Sequence, residues 1–251
     1  MKTLFLIICI VFVVHGLAGL EADMLNLTVP SQLEKTQLMV RIAHRFYGEI
    51  DEEPLETFFG LDQGANVSLG LRYAVLPRVE LKTSYTRLQR EYTVGASYAY
   101  HMPRYLRTQL GVQFFDFQPA ADAERLQNLF YSLSVQTEPI ADFIMPVVNV
   151  GYDGYNEKFG VGVGVRVGVA LNIRLLERVS FLGEYYPVID REEGVHGDKN
   201  CFVAGIGLET YGHHFMFMVG NNFQMNARHL MLGAETNDLY FGANIQRVID
   251  L

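Results

Sequence analysis

The sequence predicts an all-β fold: a single antiparallel up-and-down transmembrane β-barrel of about 12 strands. Three observations predict it. The stretch from Gly160 to Arg174 alternates strictly between apolar side chains and small or polar ones, similar runs recur along the chain, and long and short connections alternate between them. At ~3.3 Å per residue the long stretch would extend about 50 Å. Soluble sheets rarely need such length, whereas a tilted strand that crosses a bilayer does.

Each strand is predicted from side chains that alternate between two faces, because successive residues of a strand point to opposite sides. In the long stretch, Val167 and Val169 would meet lipid, whereas Arg166 and Gly168 would face a lumen that the glycines keep open for side chains from opposite walls. The predicted strands span residues 37–46, 64–73, 79–85, 92–100, 106–114, 129–137, 146–152, 160–174, 179–186, 202–210, 215–221 and 239–248. Residues 146–152, which begin at a proline, and 215–221 are the least regular, so 10 or 14 strands are alternatives. Residues 225–234 form a further short strand or part of a loop.

The connections between these strands fall into two classes. The odd-numbered ones are mostly long and span residues 47–63, 86–91, 116–128, 153–159, 187–200 and 222–238. The even-numbered ones are mostly short and span residues 74–78, 101–105, 138–145, 175–178 and 211–214. Bacterial barrels have short periplasmic turns and longer external loops, so both termini are predicted to be periplasmic. A soluble β-sandwich or lipocalin-like barrel is the rival fold, but the Gly-, Ala-, Ser- and Gln-rich second face suits an enclosed lumen better than a solvated surface.

The N-terminus has the layout of a secretory signal peptide. Lys2 precedes an apolar run from Leu4 to Val14, and small residues such as Ala18 follow. The alternative is a membrane anchor, but the apolar run is shorter than the ~20 residues that a spanning helix needs. The predicted organisation is therefore a signal peptide at 1–18, a periplasmic N-terminal segment at 19–35 and a barrel at 36–251. Removal of the signal leaves Cys201 as the one cysteine, which excludes an intrachain disulfide.

Three segments carry a resemblance to a known family. They are Arg41-Ile42-Ala43-His44-Arg45-Phe46, residues 58–66 (FFGLDQGAN) and the closing residues 241–248 (FGANIQRV). They resemble a domain-of-unknown-function family of Gram-negative outer-membrane β-barrel proteins. The resemblance implies a fold and an outer-membrane location, and it brings no established activity or substrate.

The expected partners follow from that location and from charge. They are outer-membrane lipid and lipopolysaccharide, the barrel assembly machinery and, as a further candidate, a small solute. The net charge of −8, without a cluster of Lys and Arg, argues against nucleic acid.

Charged residues on the predicted lumen face are the candidate site. They are Arg41, Arg45, Arg72, Glu80, Lys82, Arg107, Arg166, Arg174, Glu184 and Glu209. One interpretation is a selectivity lining or ligand site, and the other is a salt-bridged network that fills a narrow lumen, because buried charges must be paired. The excess of Arg over Glu indicates a mildly cationic interior that would favour anions.

Other chemistry finds little support in the sequence, and no cofactor, metal ligand or catalytic residue is predicted. His213 and His214 are adjacent on a strand and so point to opposite faces. The nearest enzyme-like grouping is His196 with Asp190 and Asp198, which loop polarity explains equally well. Two predicted external loops are acidic, the first with Glu49, Asp51, Glu52, Glu53 and Glu56 and the fifth with Asp190, Glu192, Glu193 and Asp198. They are either a solvated face or a surface that binds anionic lipopolysaccharide through divalent cations or docks a surface partner. The predicted role is a structural component or a narrow small-solute channel, with a surface-exposed binding protein and an outer-membrane enzyme as alternatives.

Overall fold

A computed structural model describes residues 24–102, 105–141, 143–155, 164–189 and 197–251. Twelve antiparallel strands form a closed barrel, in which neighbours in the chain are neighbours in the sheet and the last strand pairs with the first. The predicted fold class and the count of twelve strands are therefore confirmed. The predicted signal peptide and residues 19–23, together with His196 and Asp190, lie outside the described residues.

The strand boundaries follow the alternating runs of the sequence. The strands are β1 (Gln37–Glu49), β2 (Ala65–Leu76), β3 (Val79–Thr86), β4 (Glu91–Met102), β5 (Leu106–Phe117), β6 (Leu126–Thr137), β7 (Ile144–Tyr155), β8 (Val165–Leu176), β9 (Val179–Tyr186), β10 (Cys201–Thr210), β11 (His213–Gly220) and β12 (Tyr240–Asp250). A short helix, α1 (Ala227–Leu230), and a 3₁₀ turn at Leu88–Arg90 lie in connections. The long predicted strand begins at Val165 in the structure, and residues 160–163 lie outside the described part of the chain. Residues 225–234 belong to a loop that contains α1.

The two ends of the barrel differ in their connections. At one end, called the short-turn end, β2 leads into β3, β4 into β5, β6 into β7, β8 into β9 and β10 into β11; at the opposite, long-loop end β1 leads into β2, β3 into β4, β5 into β6, β7 into β8, β9 into β10 and β11 into β12. Described connections at the short-turn end, such as 77–78 and 211–212, are shorter than those at the long-loop end, such as 50–64 and 221–239. Closure of the barrel pairs Gln37 of β1 with Asp250 of β12. Both ends of the strand series therefore lie at the short-turn end.

The outer and inner faces of the wall agree with the predicted alternation. On β8, Arg166 and Asn172 are buried on the inside, whereas Val169 is exposed on the outside. The outer face carries apolar and aromatic side chains such as Ile206 and Tyr100, as expected where a barrel meets hydrocarbon and the membrane interface. The alternation thus assigns each strand its lumen face.

Two segments of the described chain lie inside the lumen. Residues 24–31, called the strap, enter from the short-turn end, and residues 221–239, called the infolded loop, enter from the long-loop end. Buried side chains of both segments join wall residues in one hydrophobic cluster, whose members include Met24, Leu25, Leu27, Val29, Phe115, Phe130, Leu182, Tyr186, Met216, Leu230 and Met231. The sequence predicted a periplasmic segment at 19–35, but residues 24–29 lie inside the barrel, because their apolar side chains find apolar partners there.

Candidate functional site

The strap is anchored to one wall by the carboxylate of Glu184 on β9. The backbone N–H groups of Asn26 and Leu27 donate to Oε1 at 2.7 and 2.9 Å. The Asn26 side-chain amide donates to Oε2 at 2.9 Å, and the Tyr186 hydroxyl donates to the same oxygen at 2.7 Å. Glu184 is 4% exposed, so the carboxylate and its four donors are shielded together. This sequence-predicted residue therefore fixes the strap backbone.

A second part of the wall, formed by β1 and β12, also holds the strap. Arg45 Nη2 donates to Asn26 Oδ1 at 2.6 Å, and its Nη1 donates to Asn244 Oδ1 at 2.9 Å. The carbonyl oxygen of Leu25 accepts from Asn244 Nδ2 at 2.7 Å and from the guanidinium of Arg41. Charged and amide side chains from β9, β1 and β12 thus hold the strap at separate points of the wall.

Towards the short-turn end, side-chain amides and a hydroxyl make the hydrogen bonds to the strap backbone that a neighbouring strand would otherwise make. Thr28 N donates to Asn149 Oδ1 at 3.1 Å, and the Asn149 amide donates back to Thr28 O at 2.8 Å. Ser134 Oγ donates to the same carbonyl at 2.6 Å, and Ser31 N donates to Gln109 Oε1 at 2.6 Å. Buried backbone groups need such partners, so these side chains make the strap part of the folded structure.

Gly168 on β8 leaves the space into which the strap packs. A Cβ atom built at Gly168 would lie 2.8 Å from Leu27 Cδ2 and 3.0 Å from Tyr186 Cδ1. The sequence predicted that glycines on this face leave room for side chains from opposite walls. At Gly168 that space is taken by the strap.

Replacement of Gly168 by valine is expected to lower the thermal midpoint of unfolding. The added side chain would overlap Leu27 and Tyr186, and overpacking of this kind typically costs about 1–3 kcal/mol. Gly183→Val is the matched control, because a Cβ at Gly183 on the outer face of β9 meets only Phe181, at 3.5 Å. Thermal midpoints are measured by circular dichroism in detergent. Equal midpoints for the two variants would contradict the role of Gly168 in leaving space for the strap.

The infolded loop is held by an ion pair deep in the barrel. Arg228 Nε of α1 donates to Asp153 Oδ1 of β7 at 2.8 Å, and the two residues are 2% and 0% exposed. The guanidinium carbon of Arg228 lies 5.3 and 5.5 Å from the ring centres of Phe115 and Phe117. Asp153 also lies near Arg166, whose Nε is 4.0 Å from Oδ2. One buried carboxylate therefore faces two guanidinium groups.

A second buried contact holds the same helix against β4. His229 Nε2 lies 2.7 Å from Glu91 Oε2, and the Asn226 amide donates to Glu91 Oε1 at 2.7 Å. Asn226 also caps α1, because its side-chain oxygen accepts from His229 N at 2.9 Å. Glu91, His229 and Asn226 thus fix the position of α1 inside the lumen.

Further sequence-predicted charges make contacts elsewhere along the wall. Arg72 makes two hydrogen bonds of 2.9 Å with Glu80 on the neighbouring strand. At the short-turn end, Arg107 Nε donates to Glu138 Oε1 at 3.2 Å. The hydrogen bond from His101 and then the charge of Arg107 hold the pKa of Glu138 below its ordinary value.

Arg174 and Glu209 lie away from the centre of the lumen. Arg174 is exposed near the short-turn end, and Glu209 is half-buried next to the turn between β10 and β11. Lys82 lines the cavity described below. His213 and His214 point to opposite faces as predicted: His214 is buried, and His213 stacks on Phe215.

Sequence reasoning missed several residues of the lumen because they lie outside the predicted strands. Asn26 lies in the strap, and Arg228 and His229 lie in the infolded loop, where no periodic pattern marks them. Asp153 carries a signal that could have found it, since it continues the inward series of Asn149 and Gly151 when β7 is extended to its observed length.

A cavity of about 150 Å³ lies between the strap, α1 and the inner face of β1 to β7. Its lining includes Asn26, Thr28, Arg41, Ser68, Arg72, Lys82, Ser84, Thr86, Thr93, Phe115, Phe130, Ser132, Asn149, Asn226 and Arg228. All of its charged lining side chains are cationic: Arg41, Arg72, Lys82 and Arg228. The sequence indicated a mildly cationic interior, and the charged residues of this cavity carry that sign, whereas buried carboxylates such as Glu184 and Asp153 lie elsewhere in the interior.

No helix in the described ranges is long and apolar enough to cross a bilayer. Within the same ranges, no group of three or more His, Cys, Asp and Glu side chains is placed to hold a metal ion.

Comparison with protein families gives one match. The family model described as "Membrane bound beta barrel domain (DUF5777)" matches residues 22–104 and 142–249. No curated protein matches the chain.

Comparison with solved structures gives bacterial barrels of low identity. A NanC porin matches with a TM-score of 0.52 and 9% identity over 85% of this chain and 99% of the porin. Outer membrane phospholipase A from Escherichia coli gives 0.49 and 10% over 84% and 92%, and LpxR from Salmonella typhimurium gives 0.45 and 12% over 86% and 100%. The chain spans 55% of the length of a mutant porin from Rh. blastica, at a TM-score of 0.40 and 13% identity over 73% of its own residues. The likeness to the NanC porin shows a shared fold.

Proposed function

This chain belongs to the DUF5777 family of membrane-bound β-barrel domains, and from that premise we propose that it is a closed outer-membrane barrel with a structural role. In this proposal the short-turn end and both termini face the periplasm, and the lumen is a packed interior instead of a water path. Of the two roles that the sequence left open, the geometry favours the structural component over the narrow channel. The observation that carries this is the strap, which is bonded to β1 and β12 on one side of the lumen and to β6 and β7 on the other.

Packing argues that the strap is a permanent part of the barrel. Met24, Leu25 and Leu27 are almost completely buried, and Val29 nearly so. Burial of such side chains contributes roughly 1.5–3 kcal/mol each. Spontaneous removal of the strap would forfeit this burial and leave Glu184 without its strap partners. An open channel would also need the infolded loop to leave, which would break the Arg228–Asp153 pair.

Planar-bilayer recording of the mature chain tests the proposal. We expect no steady current through the wild type, and steady conductance would overturn the closed barrel. Leu27→Glu tests whether the absence of current through the wild type is due to the strap. The substitution would put a charge into the apolar cluster beside Glu184, and we expect it to release the strap and give intermittent current. Gln32→Glu is the matched control, because it adds the same charge at an exposed position just after the strap and should stay silent.

A further inference from the structure

We propose that the cavity between the strap, α1 and the barrel wall binds a small oxyanion of the phosphate class. This goes beyond the structural role, because it assigns a ligand site to the interior. The volume of about 150 Å³ is similar to that of an engineered cavity known to admit benzene, so it suits a free phosphate or a very small phosphate ester.

The charge of the lining selects the sign of the ligand. Arg72 and Arg228 point their guanidinium groups towards Glu80 and Asp153, and neither carboxylate is among the residues that line the cavity. The charged groups that a ligand in the cavity would contact are therefore the cationic ones and not these two carboxylates. Guanidinium groups present paired N–H donors that match the oxygens of a phosphate.

One buried donor in the lining lacks an acceptor. Arg228 is 2% exposed, its Nε is bonded to Asp153, and its Nη1 has no hydrogen-bond partner among the described residues. Buried N–H groups are rarely left unpaired, and an anion in the cavity would supply the acceptor. Because the rings of Phe115 and Phe117 flank the guanidinium, Arg228 would need little reorganisation to bind.

The neutral part of the lining would complete the site. Ser84 and Thr93 hydroxyls lie 2.6 Å apart, and the Thr86 hydroxyl donates to Ser68 at 3.0 Å. Hydroxyl hydrogens rotate, so these groups can turn to donate to an oxyanion. All four residues lie on the same wall as Lys82, which places neutral donors next to the positive charge.

Such a ligand would touch three parts of the structure at once: the wall, the strap and α1. A ligand that binds the folded state but not the unfolded state raises stability by mass action. Phosphate is therefore expected to raise the thermal midpoint of the barrel, and the rise should depend on the cationic lining.

The test measures binding of inorganic phosphate to the full mature protein in detergent by calorimetry, with thermal midpoints as a second readout and chloride at equal ionic strength as the reference. Lys82→Gln and Arg228→Gln are expected to weaken binding about 10- to 100-fold, as for loss of a hydrogen bond to a charged group. Lys199→Gln is the matched control, because Lys199 is exposed and pairs with Asp198 outside the lumen.

Binding by the wild type and Lys199→Gln, with loss in Lys82→Gln, supports the site even where Arg228→Gln fails to fold. A parallel titration with glycerol phosphate distinguishes a phosphate ester from the free phosphate ion as the ligand. If glycerol phosphate binds more tightly than inorganic phosphate, the ligand is an ester; if it binds more weakly, the ligand is the free ion. No binding by the wild type, or equal binding by all four proteins, would overturn the proposal. Because the assay measures no current, its outcome is independent of whether the barrel conducts.

Discussion

Replacement of Glu184 by alanine is expected to destabilise the folded barrel by several kcal/mol, because each buried donor left without its acceptor costs about 1–3 kcal/mol. The loss has a specific origin. The backbone N–H groups of Asn26 and Leu27, the Asn26 amide and the Tyr186 hydroxyl all donate to this carboxylate. Alanine would leave these donors buried without their acceptor and would weaken the hold on the strap.

Urea unfolding in detergent measures this effect, with the denaturant midpoint and slope read together. Glu177→Ala is the matched control. It removes the same charge from the chain, but Glu177 is exposed in the turn between β8 and β9. Glu184→Gln should lie between the two, since the amide keeps one oxygen for the strap N–H groups but loses the second acceptor. A midpoint for Glu184→Ala equal to that of Glu177→Ala would contradict the anchoring role.

The barrel could be predicted from the sequence because each strand meets lipid on one face and a lumen on the other. That asymmetry imposes a period of two, and on β8 it places Arg166 and Asn172 inside and Val169 outside, as the structure does. Alternation also predicted Glu184, Arg41 and Arg45 as lumen residues, since an inward direction depends only on position along a strand.

The contents of the lumen could not be predicted in the same way. The strap and the infolded loop have no period of their own, and their places are fixed by side chains distant in sequence, such as Glu184 and Asp153. One signal was present. β11 is apolar on both faces, with Met216 and Met218 inside and Phe217 outside; lipid accounts for the outer face, but an apolar inner face needs apolar partners within the barrel. Such a strand indicates a packed interior next to it.

The second large effect is expected from Asp153→Ala. Asp153 is completely buried, 2.8 Å from Arg228 Nε and 4.0 Å from Arg166 Nε, and it is the carboxylate that the structure places between these two guanidinium groups. Its removal would leave two positive charges close together in a shielded site. We expect a loss of about 3–5 kcal/mol in the free energy of unfolding, together with release of the infolded loop.

Limited proteolysis and urea unfolding separate the two parts of this prediction. Release of the loop should expose Arg228 to trypsin, which cuts after arginine, whereas Arg228 is buried in the wild type. Asp116→Ala is the matched control, because Asp116 pairs with Arg125 at 3.0 Å in an exposed contact of the kind that contributes little. The two arginines also make a sharper test: if their repulsion causes the loss, the double variant Asp153→Ala with Arg166→Ala should be more stable than Asp153→Ala alone. A double variant less stable than the single one would show that Arg166 stabilises the barrel through other contacts and that charge is not the cause.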